Sequence, residues 1–327
     1  MKKVLYLTAI LATVLFGFSC KKNNANRADN NQQQEEGNKE QEKVTVKTGA
    51  DNLVLHISFD NDNLVEKGEG VTFKENKGDA SIGTGFIGKG WTNKASNNTK
   101  EAYSKFDVAS GNLFKKLQDV TFTAWVKNNK DYYKGAIISL NGGKMSDGNP
   151  HDFPAFIVYL DNNNPVEIDG VSTPAQQVNG RFIFHDSQNA EQNLWLDTND
   201  PAFAIYGNWF QLAFTYQLNQ TVEVPAEEEG GTPTTKIAGT VKLYANGQFV
   251  AERTFDPNIP FNNLVTDAAN ALYVGAWSTY VEGHSTQSWQ SYWAGSLDEI
   301  RLYSKAFTAD EILALYKEEI AINLNQE

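Results

Sequence analysis

The chain has 327 residues, of which 40% are hydrophobic and 12% aromatic, enough for one large domain with a sizeable core. Its formal net charge of −12 argues against nucleic acid, which is bound through clustered Lys and Arg, and against docking on anionic lipid through protein charge. One cysteine and four scattered histidines leave no disulfide framework and no zinc-ligand spacing.

At the start, Lys2 and Lys3 precede a nearly unbroken apolar run from Val4 to Phe18, followed by Ser19 and Cys20. The run is shorter than the roughly 20 residues a spanning helix needs, so 1–20 reads as a secretory signal peptide. Leu15-Phe16-Gly17-Phe18-Ser19-Cys20 resembles a lipoprotein processing site, with Gly17 where leucine is usual. That resemblance implies lipid attachment at Cys20 and an outer membrane lipoprotein, facing either the periplasm or the cell surface. Several acyl chains on one cysteine would satisfy the requirement of stable anchoring for more than one chain.

From Lys21 the composition turns to Asn, Gln, Glu and Lys, with almost nothing apolar before Val44. Such a stretch cannot offset its ordering entropy by burial, so 21–49 is expected to be a disordered polar tether. The folded domain is expected over 50–320, with 321–327 as a tail. Leu53 to Phe59 alternates apolar and polar residues, the period of a half-buried strand. The pattern recurs at 120–126, 155–160, 181–184, 209–216, 241–244, 248–253, 271–277 and 296–303. Asn246-Gly247 marks a hairpin turn. Between Tyr216 and Val241, Thr221–Val224 and Lys236–Thr240 alternate enough to extend that hairpin around an acidic Gly-Gly tip, 227–231. Thr308-Ala309-Asp310-Glu311 is a capping box opening a helix through Tyr316. Many short strands with one terminal helix predict an all-β sandwich or barrel.

Several strands resemble the laminin-G-like, concanavalin A-like jelly rolls. Leu55-His56-Ile57-Ser58-Phe59-Asp60-Asn61 is similar to their opening strand. Val120 to Lys127, Trp209 to Tyr216 and Val241 to Gln248 resemble three further strands. Gly295 to Tyr303, followed by Lys305-Ala306-Phe307 and the capped helix, resembles the closing strand and helix. The resemblance implies a two-sheet antiparallel jelly-roll sandwich and, at Asp60 and Asp298, the acidic positions of a structural calcium site. The residues alone allow another reading, in which Asp60-Asn61-Asp62-Asn63 is a turn and Asp298 an ion-pair partner.

No catalytic centre is expected. Glu167-Ile168-Asp169 begins a carboxylate alternation that ends at Val171, and Asp298 and Glu299 would point to opposite faces of one strand. Trp125 and Trp209 lie in alternating strands and read as core. The stretch from Trp277 to Trp293 differs, setting large rings among Ser, Thr, Gln, Glu and His. Trp277, Tyr280, His284, Trp289 and Tyr292 are its candidate ligand-binding residues; Trp293 reads as packed at the start of the closing strand. The loop Met145–Phe153 is a second candidate surface. The function expected is a non-catalytic, envelope-anchored binding module for glycan. A structural or envelope-protein interaction domain is the alternative, and a divergent glycoside hydrolase a remoter one.

Overall fold

The computed structural model describes residues 45–95, 97–129, 135–142, 154–161, 166–168, 171–173, 179–185, 191–196, 207–224, 234–255, 259–287, 290 and 292–326. The signal segment with Cys20, the tether up to 44, the loop 145–153, the hairpin tip 227–231 and Trp289 lie outside them. Among the described residues the strands are β1 (Leu53–Ile57), β2 (Val65–Gly68), β3 (Val71–Gly78), β4 (Ala80–Thr84), β5 (Lys89–Asn93), β6 (Ala102–Val108), β7 (Val120–Asn128), β8 (Gly135–Leu140), β9 (Phe156–Asp161), β10 (Val166–Ile168), β11 (Val171–Thr173), β12 (Asn179–His185), β13 (Glu191–Leu196), β14 (Phe210–Val224), β15 (Thr234–Ala245), β16 (Gln248–Phe255), β17 (Ala271–Val274) and β18 (Gly295–Tyr303). The α-helices among the described residues are α1 (Ser278–Val281) and α2 (Ala309–Leu324).

The first sheet runs β16-β15-β14-β7-β18-β1-β2, with β4 and β5 joined to it through β18. The second runs β13-β12-β9-β8-β17-β6-β3, and β10 pairs with β11 apart from both. All pairings are antiparallel. This is a two-sheet jelly-roll sandwich with a C-terminal helix. Alternation decides what fills it: Phe122, Leu212, Phe214, Leu243 and Leu302 face Phe106, Phe156, Val158, Leu272 and Val274 in one buried core. The residues between them point outward, and each outer face has its own cover.

Helix α2 covers the outer face of the first sheet. Thr308 caps it, its side chain accepting from Glu311 N–H while the Glu311 side chain accepts from Thr308 N–H. The helix runs to Leu324 rather than stopping at Tyr316, because Glu319 and Ile322 continue the buried stripe of Ile312 and Leu315. Tyr244, Tyr303 and Phe307 pack under its first turns. Trp125 is buried beneath it, stacked on Phe86 with centroids 3.4 Å apart, so it lies under the helix and not between the sheets. Trp209, at the rim of that cluster, is only half-buried.

The long hairpin is present: β14 and β15 pair from Leu212↔Ala245 out to Val224↔Thr234. Asn246 and Gly247 both take positive φ, 50° and 76°, as a two-residue hairpin turn requires.

Candidate functional site

The aromatic segment leaves the second sheet at Gly275, comes back to that residue at Trp293 and runs on into β18 of the first sheet. Gly275 N–H donates to Ile137 C=O, and its own carbonyl accepts from Trp293 N–H at 2.8 Å, closing the base of the loop. Only glycine fits there, since φ is +83° and a Cβ would lie 2.6 Å from the Trp91 ring. Trp293 is buried between the sheets, as its position predicted.

Trp277 does not offer a platform. It is 0% exposed and fills the outer face of the second sheet among Ala136, Ile157 and Tyr159, its ring 4.9 Å from that of Tyr159. The reason is local: Ser139 Oγ donates to Ala276 C=O and accepts from Ser278 N–H, which draws the start of α1 down onto the strands. The expectation of an exposed ring at 277 is therefore overturned.

Tyr280 and Tyr292 are half-buried and meet edge to face, with centroids 5.8 Å apart. Tyr292 stacks on Tyr103 of β6 at 6.4 Å, and Tyr103 meets Tyr273 of β17 edge-on at 5.7 Å. Four tyrosines thus form a row across the outer face. The last two went unread in the sequence, although both alternate with inward-facing residues (Ser104 and Phe106, Leu272 and Val274). At the end of the row the Tyr273 hydroxyl donates to Glu282 Oε1 at 2.9 Å, and Asn141 Nδ2 donates to the same oxygen at 2.7 Å. Asn141 Nδ2 also donates to Asn270 Oδ1. Lys105 Nζ lies 5.4 Å above the Tyr273 ring. His284 is exposed, with Nε2 3.7 Å from Glu282 Oε2. Burial, then the Glu101 charge, pushes the Tyr292 phenol up to about 12. Burial and Glu282 raise Tyr273 further, so these phenols stay neutral donors at physiological pH.

The acidic positions meet at the turn between β4 and β5. Asp298 Oδ2 accepts from Phe86 N–H and Ile87 N–H, both at 2.8 Å, and its Oδ1 accepts from Glu299 N–H. Asp60 Oδ1 accepts from Lys89 N–H at 2.8 Å. Burial raises Asp298 well above the ordinary carboxyl value against the pull of those N–H groups, and Asp60 adds to the rise. Two carboxylates are a beginning for calcium, which takes six to eight oxygens. Among the described residues no group of three or more His, Cys, Asp or Glu side chains converges to hold a metal. Carbonyls and water would have to complete a shell.

Asp298 and Glu299 do not alternate as a regular strand would place them. The pairing of β18 with β7 shifts register between Asp298 and Arg301, and Glu299 has φ +50°. Both carboxylates consequently find partners on the helix side. Glu299 bonds Arg301 and His56, and Arg301 bonds Glu319 of α2. Glu319 Oε2 also accepts from Trp125 Nε1 at 2.7 Å and Gln211 Nε2 at 2.6 Å. This buried network fastens the helix, with Glu299, Arg301 and Glu319 at most 5% exposed.

No curated protein matches the chain. Among solved structures, it is similar to domain 4 of AbnA, a GH43 extracellular arabinanase from Geobacillus stearothermophilus in complex with arabinotriose. Identity there is 20% and the TM-score 0.43, over 81% of this chain and 99% of that one. It is also similar to the receptor binding domain of botulinum neurotoxin type G, at 12% identity and TM-score 0.46, over 81% of this chain and 51% of that one. The binding domain of Paraclostridial Mosquitocidal Protein 1 follows at 13% identity and TM-score 0.48, over 81% and 52%. The chain spans about half the length of these two toxin domains. Residues 231–313, which hold β15 to β18 and the aromatic segment, match the Laminin_G_3 model of the concanavalin A-like lectin/glucanases superfamily, whose motifs the sequence resembles.

Proposed function

We propose that the folded part is a non-catalytic binding module for carbohydrate, held at the bacterial envelope by lipid on Cys20. The observation that carries the ligand class is the row Tyr280, Tyr292, Tyr103 and Tyr273 beside Glu282, Asn141 and Asn270. Tyr280 and Tyr292, half-buried, offer ring faces to pyranose C–H groups, while buried Tyr103 and Tyr273 back them from the sheet and Tyr273 spends its hydroxyl on Glu282. The adjoining carboxylate and amides suit sugar hydroxyls. Support for a non-catalytic role comes from Asp298 and Glu299, which are buried and committed to the turn and to Arg301. Retention of the intact protein on immobilised polysaccharides, preceded by a glycan-array screen, tests the reading; no retention on any glycan would refute it.

A protein-interaction domain is the second reading. The projecting β14–β15 hairpin favours it, since Ile237 is 55% exposed there. Calcium at Asp60 and Asp298, with backbone carbonyls and water completing the shell, is a further element of the proposal. Its effect would be to hold the 85–88 turn against the two like charges. Anchoring is tested by fatty-acid labelling, which Cys20→Ala should abolish; equal labelling of variant and parent would contradict it.

A further inference from the structure

We infer that Glu282 is the specificity-determining residue of the tyrosine face, which takes neutral or amino-bearing sugars and turns away uronate and sulfated chains. The inference rests on the carbohydrate reading above and adds a ligand class to it. Glu282 is already oriented: Tyr273 Oη and Asn141 Nδ2 both hold Oε1 from below. Its second oxygen, Oε2, faces the side of exposed His284, at 3.7 Å, too long for a hydrogen bond. The side chain keeps 21% of its surface open. A carboxylate only accepts, so Oε2 takes an O–H or N–H from a ligand and repels another carboxylate or a sulfate. Because the group is fixed beforehand, little ordering is lost on binding.

The surrounding charge works in the same direction. Lys77 is spent on Glu75 at 2.8 Å and Lys74 on Asp107 at 3.1 Å, while Lys105 lies over the Tyr273 ring. Glu101 adds negative charge close to both Tyr103 and Tyr292. An anionic chain laid along the row would meet Glu101 and Glu282, with Lys105 over the Tyr273 ring as the positive charge set against them, and the whole chain carries −12.

The test measures binding of the intact protein at pH 8. Its probes are a panel of neutral oligosaccharides, a chitosan oligomer and an oligogalacturonate. We expect a neutral or chitosan probe to bind at least about tenfold more tightly than oligogalacturonate, the size expected when a hydrogen bond to a charged group is at stake. Glu282→Gln, nearly isosteric and able to keep the Tyr273 and Asn141 bonds on its amide oxygen, should weaken the preferred probe about tenfold and narrow the gap. Equal binding of oligogalacturonate by the parent would overturn the inference and leave the carbohydrate reading standing. No binding to any probe would overturn both. Unchanged discrimination in a folded Glu282→Gln protein would remove Glu282 as the determinant. If that variant melts early, the parent's preference among the three probes still decides the ligand class.

Discussion

Glu319→Ala should loosen the helix that closes the first sheet. The carboxylate accepts from Trp125 Nε1 and Gln211 Nε2 and pairs with Arg301, and all of these groups are buried. Removing one partner of a buried ion pair costs about 3–5 kcal/mol, because the other charge is left uncompensated. The orphaned indole and amide donors add to this, at about 1–3 kcal/mol each if water cannot reach them. These costs overlap, so a total near 5 kcal/mol is expected, a large part of the roughly 5–15 kcal/mol that holds a domain. At roughly 2–4 °C per kcal/mol for a domain of this size, the melting temperature should fall by about 10–20 °C. Thermal and urea melts of the single variants Glu319→Met and Arg301→Met and their double variant complete the test. Replacing both charges should recover part of the loss, with a coupling of about 2 kcal/mol. A Glu319→Ala protein within 1 kcal/mol of the parent, or strictly additive Met variants, would refute the assignment of α2 docking to this network.

Two other predictions concern the acidic groups. If calcium sits at Asp60 and Asp298, chelation lowers the melting temperature and calcium restores it. A ligand at a hundredfold excess over Kd stabilises by about 2.7 kcal/mol. Asp60→Asn should blunt the response, and identical melts with and without chelator would leave the pair as turn anchors only. Glu318 accepts from Lys47 N–H, Thr48 N–H and Thr48 Oγ1. Burial pushes its carboxyl up, but the bonds from Thr48 and Lys47 outweigh that and hold it below the ordinary value of 4.5. A carboxyl depressed in the folded state stabilises fully above its unfolded value and loses that contribution as pH falls through the folded one. Glu318→Gln should therefore lose less stability than the parent on acidification from neutral pH to below 4.5; parallel pH profiles would contradict the clasp.

The strands that could be read from the sequence were those whose alternation is clean, such as Val120 to Val126 and Trp209 to Tyr216. Strand β6 hid because its inward positions include Ala102 and Ser104, too small and too polar to register as a core face. Strand β8 hid for another reason: its pairing with β9 shifts register between Ala136 and Ile138, so Ile137 and Ile138 sit side by side in sequence and both are buried. A similar irregularity in β18 defeated the assumption that Asp298 and Glu299 point opposite ways. Helix α2 looked shorter than it is because its buried stripe passes through an acid, Glu319, whose partners come from three other strands. In the aromatic segment the composition was legible but the facing was not. Nothing local distinguishes Trp277, pulled down by Ser139, from Tyr280 only three residues on. Tyr103 and Tyr273 belong to the row only because β6 and β17 are neighbours, a long-range fact.

The central claim is that the tyrosine row binds carbohydrate, and the most direct measurement is polysaccharide retention by Tyr280→Ala and Tyr292→Ala, with Trp277→Ala as the buried control. Loss of one aromatic contact at such a site can cost 2 kcal/mol, about thirtyfold in affinity. Trp277, fully buried, should instead cost about 3–5 kcal/mol of stability. The two tyrosine variants should lose retention while melting close to the parent, and Trp277→Ala should melt far earlier. Tyrosine variants that retain the polysaccharide as well as the parent does would contradict it.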